Sequence, residues 1–398
     1  MMTSAAGSRE KVAIVSGART PIGRFGGGFK DTDAYELGAV AVTEALRRSG
    51  VAPERVGEVV IGTIGQVAGD AYISRRIALA AGLDVNTPAF TVNRLCGSGL
   101  QAIWSGAQEL LWGSTDVVVA GGAESMTRMP FYDFNARYND RLGHRQLLDG
   151  TIAMLTDPFT NKHMGTTAEN VAERFGVTRE DQDAFALESQ RRAATDEAQA
   201  AFAEEIVAVT TSGRKPIEVA RDEHPRPDTT LEGLASLRAA FAKDGTVTAG
   251  NASGINDGGA ATVLMRESDA RAEGAPVLAT LEAVTTAALE PEIMGYAPTL
   301  ALKKLFVQTG LTPDDVSTVE LNEAFASQAL AVIRDAELDP VRTNPYGGAI
   351  ALGHPVGATG AILTVRAALT LQRTGGEYAI VTMCIGGGQA LAALLKRG

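Results

Sequence analysis

Two cysteines are the candidate reactive groups of this 398-residue chain. Cys96 lies in T-V-N-R-L-C-G-S-G-L-Q-A-I, between a strand-like run and a helix-like run, and Gly97 and Gly99 follow it. The dipole and free N–H groups at a helix N-terminus favour a thiolate, and the glycines would let a substrate approach the backbone closely. Cys96 is therefore a candidate nucleophile. The alternative is a small core residue, since free cysteines are commonly buried.

Three further polar residues are candidate partners of a thiolate. His354 lies in a glycine-dense G-H-P segment, Cys384 in M-C-I-G-G-G after an apolar strand, and Asn322 in E-L-N-E-A-F-A after a short apolar strand. Taken singly, these would be a packed loop histidine, a core cysteine and the N-cap of the following helix. Together with Cys96 they lie at predicted turns after strands, which is where ligands bind in open α/β sheets.

Short apolar runs alternate with helical patterns in the first part of the chain, and this alternation predicts an α/β sheet covered by helices. The predicted strands are 11–15, 59–61, 89–92 and 116–120, and the predicted helices are 35–48, 75–81 and 100–111. From about 125 to 250 the chain is richer in Arg, Asp, Glu, Met and Pro, which indicates an inserted region. Within it, 180–203 predicts one long exposed helix.

The last third of the chain is similar in form to the first. D-V-V-V-A-G-G-A-E, from residue 116, and Y-A-I-V-T-M-C-I-G-G-G-Q, from residue 378, are both buried strands that end in a glycine turn. The segments around Cys96 and His354 both lead through a glycine-rich turn into an apolar helix. This repetition predicts two related halves.

The bulk composition narrows the class of protein. Hydrophobic residues make up 45% and charged residues 21% of the chain, as in soluble globular proteins. We expect a cytoplasmic protein without membrane contact, because no apolar run approaches the roughly 18 residues of a bilayer span and residues 1–11 lack the apolar core of a secretory signal. The net charge of 36 − 47 = −11 argues against nucleic acid as a partner. The cysteine and histidine spacing predicts neither a disulfide framework nor a metal site.

Seven motifs follow one another along nearly the whole chain: N-R-L-C-G-S-G, G-G-A-E-S-M, H-M-G-T-T-A-E-N-V-A, T-A-G-N-A-S-G-I-N-D-G, N-E-A-F-A, N-P-Y-G-G-A-I-A-L-G-H-P-V-G-A-T-G and C-I-G-G-G. In this order they resemble the signatures of the thiolase family, in particular its acetyl-CoA acetyltransferase and β-ketothiolase branch. The resemblance implies two related α/β halves in a layered α-β-α-β-α core with an inserted loop domain. We assign 1–125 plus 256–276 to the N-terminal half, 126–255 to the loop domain and 277–398 to the C-terminal half.

The resemblance also implies catalytic roles. Cys96 matches the nucleophile that carries the acyl group, and His354 matches the base that takes its proton. Cys384 matches the second acid/base, which removes the α-proton of acetyl-CoA. Asn322 matches the residue whose bound water forms one oxyanion hole with His354, and the backbone N–H groups of Cys96 and Gly386 match the second hole.

Five residues match positions that bind coenzyme A in the family. Ser253 matches a pantetheine contact, His163 and Met164 match the lining of the acyl and pantetheine channel, and Arg226 and Phe241 match positions near the adenine end. Arg226 could instead be a solvated loop charge. Phe241 and Met164 could instead be ordinary core residues.

The implied activity is the reversible Claisen condensation of two acyl-CoA molecules to a 3-ketoacyl-CoA and CoA by ping-pong acyl-cysteine chemistry. Acyl-CoA and CoA are then substrates, and neither a metal nor another cofactor is required. The family also implies a homo-oligomer, either a dimer or a tetramer. Free thiol chemistry fits a reducing compartment.

Several alternatives stay open. A degradative 3-ketoacyl-CoA thiolase of fatty-acid β-oxidation would prefer longer chains, and Tyr296, Thr299, Leu300 and Tyr346 depart from the acetyl-specific pattern and leave chain length undecided. A decarboxylating ketoacyl synthase would lack the second cysteine. A thioesterase would leave Cys384 without a role, and a scaffold protein would not need the catalytic motifs.

Overall fold

A ten-stranded sheet and the helices on its faces position the candidate residues. The computed structural model describes residues 10–138, 142 and 144–398. The strands in this part of the chain are β1 (Val12–Arg19), β2 (Gly23–Arg24), β3 (Glu58–Gly62), β4 (Ala89–Val92), β5 (Val117–Ser125), β6 (Phe131–Tyr132), β7 (Leu148–Asp149), β8 (Thr156–Asp157), β9 (Lys162–His163), β10 (Val209–Thr210), β11 (Glu218–Val219), β12 (Asn256–Arg266), β13 (Ala279–Ala288), β14 (Thr318–Leu321), β15 (Tyr378–Ile385) and β16 (Gln389–Arg397). The α-helices are α1 (Ala34–Ser49), α2 (Ile73–Ala80), α3 (Ser98–Trp112), α4 (Gly150–Met154), α5 (Met164–Phe175), α6 (Arg179–Ala193), α7 (Asp196–Glu205), α8 (Leu231–Ala235), α9 (Glu267–Glu273), α10 (Ala297–Thr309), α11 (Ala326–Asp335), α12 (Ala349–Leu352) and α13 (Thr359–Thr374).

The sheet repeats one strand pattern twice. Its order is β14-β15-β16-β13-β1-β12-β5-β3-β4, and β2 pairs with β12. In each half a parallel pair (β3 with β5, β14 with β15) is followed by two antiparallel neighbours (β12 and β1, β16 and β13). Antiparallel pairing of β1 with β13 joins the halves. β5 and β15 occupy equivalent places, which confirms that the segments from 116 and 378 are related strands. The glycine turn predicted at the end of the first segment is wrong, because Gly121 and Gly122 lie inside β5 and pair with β12, whereas Gly386 does follow the end of β15.

The helices form three layers around the two halves of the sheet. α3 and α13 lie in the middle, where Leu100 and Ile362 share one apolar core with both halves of the sheet. α1 and α2 cover the outer face of the N-terminal half, and α10 and α11 cover the outer face of the C-terminal half. The predicted α-β-α-β-α layering is confirmed.

Glycines allow the two middle helices to cross closely. A Cβ on Gly99 would lie 2.7 Å from the backbone nitrogen of Ala361, and one on Gly360 would lie 2.3 Å from that of Leu100. A Cβ on Gly97 would meet a side chain of β15. The prediction that Gly97 and Gly99 admit a substrate is therefore wrong, because protein atoms occupy the space beside both.

The region between β5 and β12 consists of short hairpins and helices, and the single exposed helix predicted at 180–203 is wrong. The helix is interrupted because Thr195 caps α7, accepting a hydrogen bond from the Ala198 N–H at 3.2 Å. It is also not exposed as a whole, since Gln182, Ala186 and Ser189 are buried. The domain boundaries assigned from the sequence stay predictions. No helix of the described residues has both the length and the apolar character required to cross a bilayer.

Candidate active site

Cys96 lies in an irregular turn between β4 and α3. Leu95, just before it, has a left-handed backbone with φ of 49°, an unfavourable conformation for a side chain with a Cβ. Side chains on both sides hold the turn: Asn93 Oδ1 accepts from the Leu95 N–H at 3.0 Å, and Ser98 Oγ accepts from the Arg94 N–H at 2.9 Å and donates to the Leu95 carbonyl at 2.6 Å. The residue Cys96 is partly exposed and lines an internal cavity, so a ligand in that cavity could reach the thiol although little solvent surrounds the sulfur.

The protonation of Cys96 differs from the sequence prediction. Burial of the sulfur raises the pKa of Cys96 to about 11, although the backbone N–H groups of Gly386 and of Cys96 itself lower it. The Glu124 carboxyl group, whose own pKa burial raises to about 7, contributes a small further increase. The predicted preference for thiolate is therefore wrong for the free protein, because desolvation outweighs the N–H groups.

His354 is buried between α12 and α13, so its predicted place directly after a strand is wrong. Its Nδ1 lies 2.6 Å from Thr359 Oγ1, and that hydroxyl lies 3.2 Å from the Pro355 carbonyl, to which it donates. Nδ1 then carries the proton that Thr359 accepts, and Nε2 keeps its lone pair. Burial lowers the pKa of His354 to about 4, so the imidazole is a neutral base near pH 7.

Asn322 directly follows β14 and contacts the histidine. Its Nδ2 lies 3.4 Å from His354 Nε2. Asn322 does not cap the following helix, since Phe325 is the N-cap of α11. Asn322 Oδ1 is buried and, among the residues that the structure describes, has no hydrogen-bond partner. It is therefore free to accept a hydrogen bond from a group outside the protein.

Cys384 occupies a regular strand position, so the prediction that it lies in a turn is wrong. It is the penultimate residue of β15 and is buried. Its Sγ lies 3.3 Å from the side-chain amide of Gln328, and it packs in one apolar cluster with Met294 and Phe325. Burial, followed by the proximity of Cys96, raises the pKa of Cys384.

One cavity of about 400 Å³ brings these residues together. Eight of the ten predicted site residues line it: Cys96, His163, Met164, Arg226, Phe241, Ser253, His354 and Gly386. The other two lie directly behind the lining, Asn322 against His354 and Cys384 against Met294 and Phe325. The cavity therefore joins elements of both halves with the region between β5 and β12.

Aromatic packing shapes the wall of this cavity. Phe241 stacks on His163 with ring centroids 4.8 Å apart and meets Phe325 edge-on at 6.1 Å. His163 Nδ1 accepts from the Gly165 N–H at 3.0 Å and caps α5. Met164 follows it and lies close to Gly386. Phe241 and Met164 thus combine core packing with a surface on the cavity.

Two predicted contacts lie at more polar parts of the wall. The Ser253 N–H donates to the Ala324 carbonyl at 3.0 Å, which fixes this segment beside α11. Arg226 is exposed, and its backbone N–H donates to Gln190 Oε1 at 2.8 Å. Its guanidinium group can therefore interact with solvent or with a ligand at the cavity entrance.

Sequence reasoning did not identify three residues of the site. His224 lines the cavity, lies 3.5 Å from Asn256 Nδ2 through its Nδ1, and has its pKa lowered to about 4, mainly by burial. Thr359 orients His354, and Gln328 contacts Cys384. Thr359 lies within a quoted motif, whereas Gln328 is one of four polar residues of α11, together with Ser327, Arg334 and Asp335, so the sequence of the helix does not single it out.

A second cavity of about 530 Å³ adjoins the first. The two share five lining residues: Ile64, Leu95, Met154, Met164 and Gly386. Tyr132 and Phe159 extend the apolar wall. The second cavity therefore lies beside the Cys96 turn, on the side of the hairpins after β5.

The tyrosines that left chain length undecided lie elsewhere. Tyr296 donates to Asp335 Oδ2 at 2.9 Å and stacks on Phe175. Tyr346 is buried and donates to Glu197 Oε1 at 3.3 Å. Neither lines the two cavities, so neither contacts a ligand bound there.

Comparison with known proteins agrees with this arrangement. Residues 12–268 match the thiolase N-terminal domain and 275–397 the thiolase C-terminal domain. The chain is 48% identical to the beta-ketothiolase BktB of Cupriavidus necator over 97% of this chain and 99% of that protein. It superimposes with a TM-score of 0.96 on the acetyl-CoA acetyltransferase of Bacillus anthracis, at 41% identity, covering 98% and 99% of the two chains.

A second solved structure is similar over the same length. The human mitochondrial 3-ketoacyl-CoA thiolase in complex with CoA gives a TM-score of 0.94 at 39% identity, covering 98% of both chains. Matches to both family domains, together with this identity over almost the full length, establish the family. The chain therefore belongs to the thiolase family.

Proposed function

We propose that this protein catalyses the reversible condensation of two acyl-CoA molecules to a 3-ketoacyl-CoA and CoA. The observation that carries the proposal is one cavity that a thiol and a neutral imidazole line, with a buried amide and a second thiol directly behind its lining. These are the groups of Cys96, His354, Asn322 and Cys384. Their types suit acyl transfer followed by carbon–carbon bond formation.

The first step transfers the acyl group to Cys96. His354 Nε2 takes the thiol proton as the sulfur attacks the thioester carbonyl carbon, and the same proton passes to the departing CoA sulfur. The N–H groups of Cys96 and Gly386, which already lower the Cys96 pKa, are suited to stabilise the oxyanion. A neutral thiol and a neutral imidazole are the correct starting forms for this transfer.

The second step forms the carbon–carbon bond. Cys384 removes an α-proton from a second acyl-CoA, and the carbanion attacks the carbonyl carbon of the acyl-cysteine. Cys384 takes this proton as its thiolate, and when the tetrahedral adduct expels the Cys96 sulfur, the same proton passes to Cys96 and Cys384 returns to the thiolate. A water that donates a hydrogen bond to Asn322 Oδ1 and lies near His354 would stabilise the enolate oxygen. Stabilisation of an oxyanion in this way contributes several kcal/mol in comparable sites. The unpartnered Oδ1 among the described atoms supports this role.

Binding of the CoA part is assigned to the polar and aromatic wall of the cavity. Ser253, His163 and Met164 would contact pantetheine, and Phe241 and Arg226 would lie towards the adenine end. The exposed guanidinium of Arg226 is suited to an anionic ligand despite the negative charge of the chain. The proposed steps use side-chain acids, bases and N–H donors, so CoA thioesters are substrates and no cofactor is proposed.

A second candidate is the degradative 3-ketoacyl-CoA thiolase, with longer acyl chains in the cleavage direction. The apolar second cavity favours it, because it adjoins the Cys96 turn and extends past Tyr132 and Phe159. Turnover of 3-ketoacyl-CoA substrates of increasing length distinguishes the candidates. A rate that rises steadily beyond six carbons would select the degradative enzyme, and a rate that falls would select the short-chain enzyme.

We also propose a homo-oligomer, a dimer or a tetramer, in a reducing compartment such as the cytoplasm. β4 is the last strand of the sheet and its side chains are only partly buried, which leaves an edge for pairing. Two free cysteines at the site are compatible with a reducing environment. Light scattering of the purified protein measures the number of copies.

Intact mass after brief mixing with acetyl-CoA tests the proposed function. We expect one acetyl group on the wild type and on Cys384→Ala, and none on Cys96→Ala. Cys384→Ala is the matched control, since it removes the other thiol of the chain. Absence of an adduct on the wild type with acetyl-CoA and with longer acyl-CoA donors would overturn the proposal.

A further inference from the structure

Gln328 is a completely buried residue of α11 that contacts Cys384 and Asn322. Its exposed fraction is 0%. One atom of its side-chain amide lies 3.3 Å from Cys384 Sγ and 3.2 Å from the Asn322 carbonyl oxygen. Gly295 packs against its stem, since a Cβ there would lie 2.6 Å from Gln328 Cβ. The amide is therefore held between the two polar groups.

The hydrogen-bond partners fix which end of this amide faces the sulfur. With Oε1 towards the sulfur, that oxygen would accept from the Cys384 S–H at 3.3 Å but would also face the Asn322 carbonyl oxygen, and Nε2 would face the Ala329 N–H without an acceptor. With Nε2 towards the sulfur, Nε2 donates to the Asn322 carbonyl at 3.2 Å and Oε1 accepts from the Ala329 N–H at 2.7 Å. Only the second orientation satisfies both ends, as buried polar groups require.

This orientation gives Cys384 a hydrogen-bond donor. Nε2 carries two N–H bonds, so one can serve the Asn322 carbonyl while the other points towards Sγ. A sulfur that accepts a bond keeps its own S–H free for a substrate carbon, and a thiolate is stabilised directly. In an apolar cluster such as that around Cys384, a single donor has a large effect on the charged form.

We infer that Gln328 is a positioning residue for the carbon–carbon bond-forming step: its Nε2 stabilises the Cys384 thiolate and holds the Asn322 backbone in place. The inference rests on the proposed thiolase reaction and deepens it. Because Gln328 contacts Cys384 rather than Cys96, it should affect condensation and leave acylation of Cys96 intact.

The test compares Gln328→Glu and Gln328→Met with the wild type. The quantity measured is the condensation rate divided by the rate of Cys96 acetylation. We expect this ratio to fall by about 10- to 100-fold, as for loss of one hydrogen bond to a charged group. In Gln328→Glu a carboxylate would face the sulfur, so the ascending limb of condensation against pH should move to higher pH by about one unit.

Gln182→Glu is the matched control. Gln182 is as completely buried as Gln328, but it lies on α6 and its Nε2 donates to Thr246 Oγ1 at 2.9 Å. Gln182→Glu should keep the wild-type ratio of condensation to acetylation and the wild-type pH dependence of condensation, even if its thermal stability falls. It therefore separates an effect on Cys384 from the general effect of burying a carboxyl group.

Three results would contradict the inference. An unchanged ratio in both Gln328 variants overturns it. An equal loss of acetylation and condensation also overturns it, since Gln328 would then only support the fold. Failure of the wild type to acetylate Cys96 overturns the proposed function and this inference together, and it differs from the other two results because no variant is involved.

Discussion

The turn around Cys96 and the end of β15 around Cys384 hold the same functional group in opposite ways. Cys96 is partly exposed, follows a left-handed Leu95 and is fixed by side-chain hydrogen bonds to the backbone. Cys384 is buried in a regular strand and has a side-chain amide as its neighbour. A thiol that must carry an acyl group needs space, whereas one that only exchanges a proton needs a fixed position.

Burial raises the pKa of both thiols, so electrostatic activation in the free protein does not distinguish them. The difference lies in their neighbours. Cys96 has backbone N–H groups and shares a cavity with the neutral His354, whereas Cys384 has Gln328. The comparison teaches that the environments of the two sulfurs differ more clearly than the direction of their pKa shifts, and these environments support the different roles proposed for them.

The largest expected effect comes from removing the buried thiol. Cys384→Ala should lower condensation by about 10³-fold or more, because general acid–base groups contribute on this scale, while acetylation of Cys96 persists. Formation of 3-ketoacyl-CoA and intact mass measure the two steps. Condensation at the wild-type rate would show that the two cysteines do not divide the chemistry as proposed.

A smaller effect, of about tenfold per pH unit, is expected for the reactivity of Cys96. In Cys384→Ala, Cys96 is the only remaining thiol, and its alkylation by iodoacetamide reports the thiolate fraction. With the pKa of Cys96 raised to about 11, the rate should rise about tenfold per unit from pH 7 to pH 9. An alkylation rate that does not change with pH above pH 7 would show that Cys96 is already a thiolate at pH 7. The pKa values of the two thiols would then not both be raised.

The smallest expected effect is a loss of stability when the packing of α3 against α13 is disturbed. In Gly99→Ala the new Cβ would lie 2.7 Å from the Ala361 backbone, so α3 and α13 must move apart at a cost of about 1–3 kcal/mol in the free energy of unfolding. Thermal unfolding followed by circular dichroism measures the loss. Gly233→Ala is the control, because its nearest contact would be an ordinary 3.4 Å. Equal stability of the two variants would contradict the role of Gly99.

Local sequence patterns predicted helices and strands correctly where the spacing of the apolar residues and the length of the segment both indicated the same element. The strand predicted at 89–92 and the helix predicted at 100–111 correspond to β4 and to most of α3. The helix predicted at 180–203 failed because Thr195 was not recognised as a cap inside a helical composition. The resemblance to thiolases supplied the site residues, and the cavity brings most of them together.

Other features of the site could not be predicted because they depend on contacts between distant segments. The neighbours of Gly99 and Gly97 come from α13 and β15, so the sequence around Cys96 did not reveal what fills the space. Gln328 meets Cys384 across 56 positions of sequence. The spacing of apolar residues along a helix indicates which face is buried, but it does not identify the residues that pack against this face.

The place of β12 in the sheet has a consequence for biosynthesis. β12 lies between β1 and β5, yet residues 126–255 separate it from β5 in the chain. During translation the edges of β1 and β5 that β12 will cover stay unpaired until residues 256–266 leave the ribosome. Such long-range pairing slows folding, and open strand edges promote aggregation. While the intervening region is being synthesised, these open strand edges therefore leave the nascent chain exposed to aggregation.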